Sequence, residues 1–128
     1  MVIRYYRAKD IESNVSEIVH AIGLEHIDLS RVVILRSQGS RAANTIARIY
    51  GLPRVWQFSL GIEPHYVLEL ISENFDILKQ EEKEKVLIHE LLHIPTSFGG
   101  GFKHHRNWVN EKRVQYLHSI FKKRKSMS

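Results

Sequence analysis

The sequence predicts an α+β fold. A small, mainly antiparallel sheet is flanked by an N-terminal helix, a second helix in the C-terminal half and a terminal helix. Two patterns predict this. Apolar residues recur with the helical period near both ends of the chain. Between them they alternate, or fall in short β-branched runs. With 128 residues, 43% of them apolar, such a chain buries roughly two-thirds of its extended surface, enough for one core. A single domain spanning residues 1–128 follows from the usual domain size.

The first element is a helix over Asp10–Gly23. Ile11, Val15, Ile18, Val19 and Ile22 share one helical face. Asp10 has the chemistry of an N-cap and Gly23 that of a C-terminal stop. Val32–Leu35 is β-branched and apolar, which predicts a buried strand. Ser37-Gln38-Gly39-Ser40 reads as a loop. Thr45–Tyr50 fits a strand or a short helix, and the strand is the simpler reading. After the turn Gly51-Leu52-Pro53, Trp56, Phe58 and Leu60 alternate with Gln57 and Ser59. That period of two predicts a half-buried strand over Val55–Leu60. His65–Ile71 alternates again. The intervening Gly61-Ile62-Glu63-Pro64 predicts that these two strands form an antiparallel hairpin.

From about Gln80 the pattern becomes helical. Glu81, Glu82 and Glu84 occupy the positive end of the dipole. Val86, Leu87, Ile88, Leu91 and Leu92 supply a broad apolar surface, and Pro95 stops the helix. Gly99-Gly100-Gly101 is a loop. A last helix runs over Asn107–Lys123, with Val114, Leu117 and Phe121 on one stripe and a basic end at Lys122–Lys125.

Composition narrows the chemistry. The chain has no cysteine, so disulfides, thiolate metal sites, iron–sulfur clusters and cysteine nucleophiles are excluded. No apolar run approaches the roughly 20 residues of a membrane span, and Met1–Asp10 lacks the apolar stretch of a signal peptide. A cytoplasmic protein with no membrane contact is expected. Lys and Arg number 19 against 14 Asp and Glu, giving +5, and there are 8 histidines. Basic charge favours weak non-specific nucleic-acid contact. Histidine without cysteine favours a metal held by nitrogen and oxygen ligands.

The chemistry concentrates at His89-Glu90-Leu91-Leu92-His93, which matches H-E-x-x-H within the C-terminal-half helix. Side chains at i and i+4 leave one helical face, so His89 and His93 can grip one zinc ion. Glu90, one position round the helix, reaches a water activated by that zinc and can serve as its general base. A hydrolytic zinc site normally has three protein ligands. Three candidates follow the helix: His104, His105 and Glu111. Spacing alone does not separate them, and Thr96 and Gly99 break the metzincin pattern.

The stretch Gly61-Ile62-Glu63-Pro64-His65-Tyr66-Val67-Leu68-Glu69, then Val86 to Pro95 around the motif, resembles a family of metallopeptidases of archaea, phages and archaeal viruses. Ser97 to His105 and Ala47 to Gln57 extend the resemblance, which runs from about Arg31 to Phe121. The family is similar to minimal SprT-like zincins, in which a small sheet packs on the active-site helix. The resemblance implies a zinc-dependent peptidase acting on protein or peptide. It also implies His105 as third ligand, because the family's last histidine follows a Gly-Gly pair. The cysteine zinc ribbon that SprT relatives often append has no counterpart in a chain without cysteine.

Other candidates carry bland readings beside the functional ones. Glu69 could orient a ligand histidine, although a solvent-facing strand carboxylate is the commoner case. Gln57 and Arg36 share that ambiguity. His104, Tyr66 or an arginine could stabilise an oxyanion. His20, His26 and His118 read as surface or helix-face histidines, and His65 as a strand start. Trp56, Phe58 and Tyr66 read as core. The arginines are dispersed, and no nucleic-acid-binding motif appears. Two rival functions remain. One is a zinc hydrolase acting on RNA or a small amide. The other is a non-enzymatic, basic nucleic-acid-binding protein.

Overall fold

A computed structural model describes residues 2–103 and 108–127. Among the described residues it is α+β, with one four-stranded mixed sheet in the order β1-β2-β4-β3. The strands are β1 (Arg4–Arg7), β2 (Val32–Gln38), β3 (Ala47–Gly51) and β4 (Tyr66–Ile71). The helices are α1 (Lys9–Ile22), α2 (Arg54–Leu60), α3 (Ser72–Phe75), α4 (Gln80–Leu92) and α5 (Glu111–Ser126). Two of the three strand pairings, β1–β2 and β3–β4, are antiparallel, while β2 and β4 run parallel. No described helix is long and apolar enough to cross a membrane.

The predicted face of α1 is the buried one: Ile11, Val15, Ile18 and Val19 all lie in the core. Gly23 ends it at φ 74°, the left-handed conformation that glycine adopts without penalty. Asp10 is not its N-cap. Ala8 holds that position, and Asp10 sits in the first turn, where Arg36 grips it with two hydrogen bonds of 2.7 and 2.9 Å. Arg36 also bonds Asp76, so it ties α1 and β2 to the end of α3 rather than serving a site. Strand β2 runs through Ser37 and Gln38, which read as loop in the sequence, because β1 pairs with them. β1 itself escaped detection: its Arg-Tyr-Tyr-Arg sequence has no apolar face, and all four residues are exposed.

The largest departure is at Val55–Leu60, which is helix α2 and not a strand. Pro53 precedes it with φ −59°, and Gly61 closes it at φ 64°. These two helix signals, bracketing seven residues, outweigh three apolar residues in alternation. The side chains did not alternate because they pack inward. Trp56 is 54% exposed and Phe58 90%. The hairpin partner of β4 is therefore β3, with Gly51 opposite Tyr66 and Ala47 opposite Leu70. α2 lies in the connection between them.

Tyr66, Leu68 and Leu70 of β4 and Ile34 of β2 meet the apolar faces of α1, α4 and α5. α4 contributes Leu87, Ile88, Leu91 and Leu92, and α5 contributes Val114 and Phe121. The terminal helix starts at Glu111 under an Asn110 cap, whose Oδ1 accepts from the Arg113 N–H at 2.8 Å. Asn107, the expected start, lies outside the described residues. His118 is not a surface histidine. It is 3% exposed and bonds Glu84 of α4 at 2.8 Å, joining the two helices inside the core.

Candidate metal centre

α4 ends at Leu92 because Pro95 cannot continue it. His89 and Glu90 therefore occupy its last turn, and His93 is its C-cap residue. The i, i+4 spacing brings the two imidazoles edge to face, with ring centroids 5.2 Å apart. The apolar residues of the same turn, Ile88, Leu91 and Leu92, fix the helix to the core. The histidines and Glu90 are left on the wall of a cleft of about 720 Å³. Its other walls are the segment leading into β3, from Asn44 to Ala47, and the first turns of α5, including Glu111.

Two features of this wall have chemical consequences. The His93 ring bonds the Lys103 carbonyl through Nδ1 at 2.7 Å. A carbonyl oxygen only accepts, so Nδ1 carries the proton and the neutral ring offers its Nε2 lone pair to a metal. Desolvation by burial raises the Glu90 carboxyl to about 7. A carboxylate with that pKa is suited to taking up and releasing a proton near neutrality.

Among the described residues, no three His, Cys, Asp or Glu side chains come together as a metal-binding group. His89, His93 and Glu111 share the cleft without closing such a group. His104 and His105 lie outside the described residues. Glu111 is exposed and accepts from Gln115 at 3.2 Å.

The remaining candidates have other employment. The Tyr66 hydroxyl is turned away from the cleft, accepting from the Gly100 N–H at 2.9 Å and donating to the Gly101 carbonyl at 2.8 Å. Glu69 is not solvent-facing but 4% exposed. It accepts from the Tyr50 hydroxyl at 2.6 Å, with Arg48 4.0 Å away. Among the described residues it bonds no histidine. Gln57 donates both amide hydrogens, one to the Leu52 carbonyl at 2.8 Å and one to the Gly99 carbonyl at 2.9 Å. His26 donates to the Ile94 carbonyl at 3.1 Å, just past the motif, whereas His20 and His65 bond local groups, His20 on Ser16 and His65 on the Glu63 carbonyl. The pinning of Lys103 to His93 was not visible in the sequence, since a backbone acceptor has no residue signature.

The sequence profile of a family described as "putative phage metallopeptidase" matches residues 3–116. The chain belongs to this family. The match takes in β1 and α1 as well as the region from Arg31 onward that carries the resemblance, so the whole sheet and the motif helix are family features. Among curated proteins and among solved structures, nothing matches. Membership in a metallopeptidase family implies a metal ion and protein or peptide substrates. The donor chemistry of the cleft fits a metal: two imidazoles on one helical face, one with its tautomer fixed, beside a buried carboxyl.

Proposed function

We propose that the protein is a zinc-dependent metallopeptidase of the H-E-x-x-H type, resembling a minimal SprT-like zincin. His89, His93 and His105 hold the zinc, and Glu90 is the general base. The observation that carries this reading is the bond between His93 and the Lys103 carbonyl. It fixes the ligand tautomer. It also anchors the residue immediately before the two candidate histidines beside the motif.

Zinc bound there supplies Lewis acidity, lowering the pKa of water and polarising a carbonyl. The rest of the reaction belongs to the chain. Glu90 takes a proton from the attacking water and returns it to the leaving amine. Its desolvated carboxyl, near 7, is matched to both steps. β3 is an outer strand of the sheet, and its first residue, Ala47, lines the cleft with the segment before it. An extended peptide pairing along its free edge would lie across Glu90.

A second reading of the third ligand is Glu111, because it faces the same cleft. Metal analysis separates the two. His89→Ala, His93→Ala and His105→Ala should lose zinc, while His104→Ala and Glu111→Ala keep one per chain. Zinc retained by His105→Ala and lost by Glu111→Ala would transfer the role to the carboxylate. Cleavage of a casein-like protein, with labelled RNA left intact, is the expected substrate result. The reverse would favour a nuclease.

A further inference from the structure

The geometry points to Gln57 and Tyr66 as positioning residues that preset the metal-ligand loop without touching metal or substrate. This rests on the zinc reading above and adds a mechanism to it. Segment 99–103 leads from the end of the motif helix to the candidate histidines, and each part of it is held from outside. Gln57 donates to Gly99, Tyr66 brackets Gly100 and Gly101, and His93 bonds Lys103 on both sides. The Lys103 N–H donates to the His93 carbonyl at 2.7 Å, and the His93 ring to the Lys103 carbonyl at 2.7 Å.

The backbone contact beneath this clasp admits no side chain. A Cβ on Gly51 would lie 2.3 Å from the Gly100 carbonyl oxygen. One on Gly100 would lie 2.3 Å from the Leu52 carbonyl oxygen, and Gly100 already has φ 103°. Both glycines are therefore required where β3 meets the loop. Phe98, entering the loop, is the one described non-glycine residue at positive φ, 48°. Its ring packs edge-on against Tyr66 at 4.9 Å. A left-handed phenylalanine persists only where its surroundings hold it. On the far side of residues 104–107, Trp108 receives the Lys103 ammonium at 5.1 Å and the Arg113 guanidinium at 3.8 Å from its ring centroid.

Gln57 is an unusual choice for such a clasp, and its chemistry explains the choice. It has to donate twice, to two carbonyls of different segments, and a primary amide does so from one atom. Of α2, Gln57 is the one residue that is partly buried; the rest are exposed. The short helix thus serves to deliver this amide to the loop. Removing the clasp changes no ligand residue but releases segment 99–103 from its outside partners. Apparent metal affinity then falls, as it does for outer contacts of other metal sites, by about 10–100-fold.

The test is zinc affinity, by competition with a chromogenic chelator, together with melting of the metal-free protein. Gln57→Glu keeps the shape and loses both donors. Tyr66→Phe keeps the ring and loses the hydroxyl. Ile18→Val, in α1, is a destabilised control remote from the loop. Both clasp variants should bind zinc about 10–100-fold more weakly than wild type, while Ile18→Val binds normally at a similar loss of melting temperature. Clasp variants with wild-type affinity would overturn the proposal, and so would an equal loss in Ile18→Val. A wild-type chain that takes up no zinc would instead overturn the zinc reading itself. Gln57→Asn, which keeps the amide on a shorter stem, should restore part of the affinity relative to Gln57→Glu; affinity as low as that of Gln57→Glu would contradict the role of the amide donors.

Discussion

α4 carries two groupings of histidine with glutamate, one near each end, and they have opposite fates. Near its start, Glu84 meets His118 at 2.8 Å, and both are sealed in the core. Gln80 donates to the other Glu84 oxygen at 3.1 Å, with the Lys125 ammonium 4.0 Å away, so both carboxylate oxygens have partners. At its end, Glu90 is partly buried beside His89 and His93, and desolvation pushes its carboxyl up to about 7. The same residue types thus make a closed joint between α4 and α5 in one place and the wall of a cleft in the other. The difference is the environment: a facing helix that supplies a partner for Glu84, against a cleft wall where desolvation dominates the Glu90 carboxyl. Residue type alone therefore does not separate the two groupings; their surroundings do.

The sharpest way to break this contrast is to open the joint. His118→Ala removes the partner of a buried carboxylate and should cost about 3–5 kcal/mol of stability, read by chemical denaturation. Zinc content per folded chain should stay at that of wild type. Loss of zinc without loss of stability would mean the joint belongs to the site. Gly100→Ala attacks the loop beside the reactive end. The clash with the Leu52 carbonyl and the forced positive φ should cost about 2–4 kcal/mol.

The reactive end should also show itself in pH dependence. The folded state raises the Glu90 carboxyl from 4.5 to about 7, so folding favours its protonated form. In the metal-free protein that form is stable below about pH 4.5, and stability falls as pH rises through 7. Glu90→Gln removes the penalty. It should exceed wild type in stability by up to about 3 kcal/mol at pH 8, with the gap closing below pH 5. A gap independent of pH would contradict the desolvated carboxyl. Smallest of all, Phe58→Ser on the exposed side of α2 should change stability by less than about 0.5 kcal/mol. A larger loss would show that α2 packs against something.

This contrast also explains what the sequence could reveal. Helix faces were legible at α1, because Ile11, Val15, Ile18 and Val19 follow one period and meet one core. The motif was legible because metal chemistry demands fixed spacing on a helix. α2 was misread because its alternation had no burial behind it, whereas Pro53 and Gly61 carried the true signal. The roles of Glu69, His118 and Tyr66 were invisible for a different reason. Each depends on a partner far along the chain: Tyr50, Glu84 and the Gly100–Gly101 backbone. Period and spacing report local geometry; partnership is tertiary. The third-ligand assignment, His105, stays with the family resemblance, since that residue lies outside those described.

The most direct test of the central claim is the peptide-hydrolysis rate of zinc-loaded Glu90→Gln against zinc-loaded wild type. The expected result is one zinc per chain in both proteins, with hydrolysis in the variant reduced by about 10²–10⁴-fold. Hydrolysis at the wild-type rate with zinc retained would remove Glu90 from the reaction and contradict the reading of this cleft.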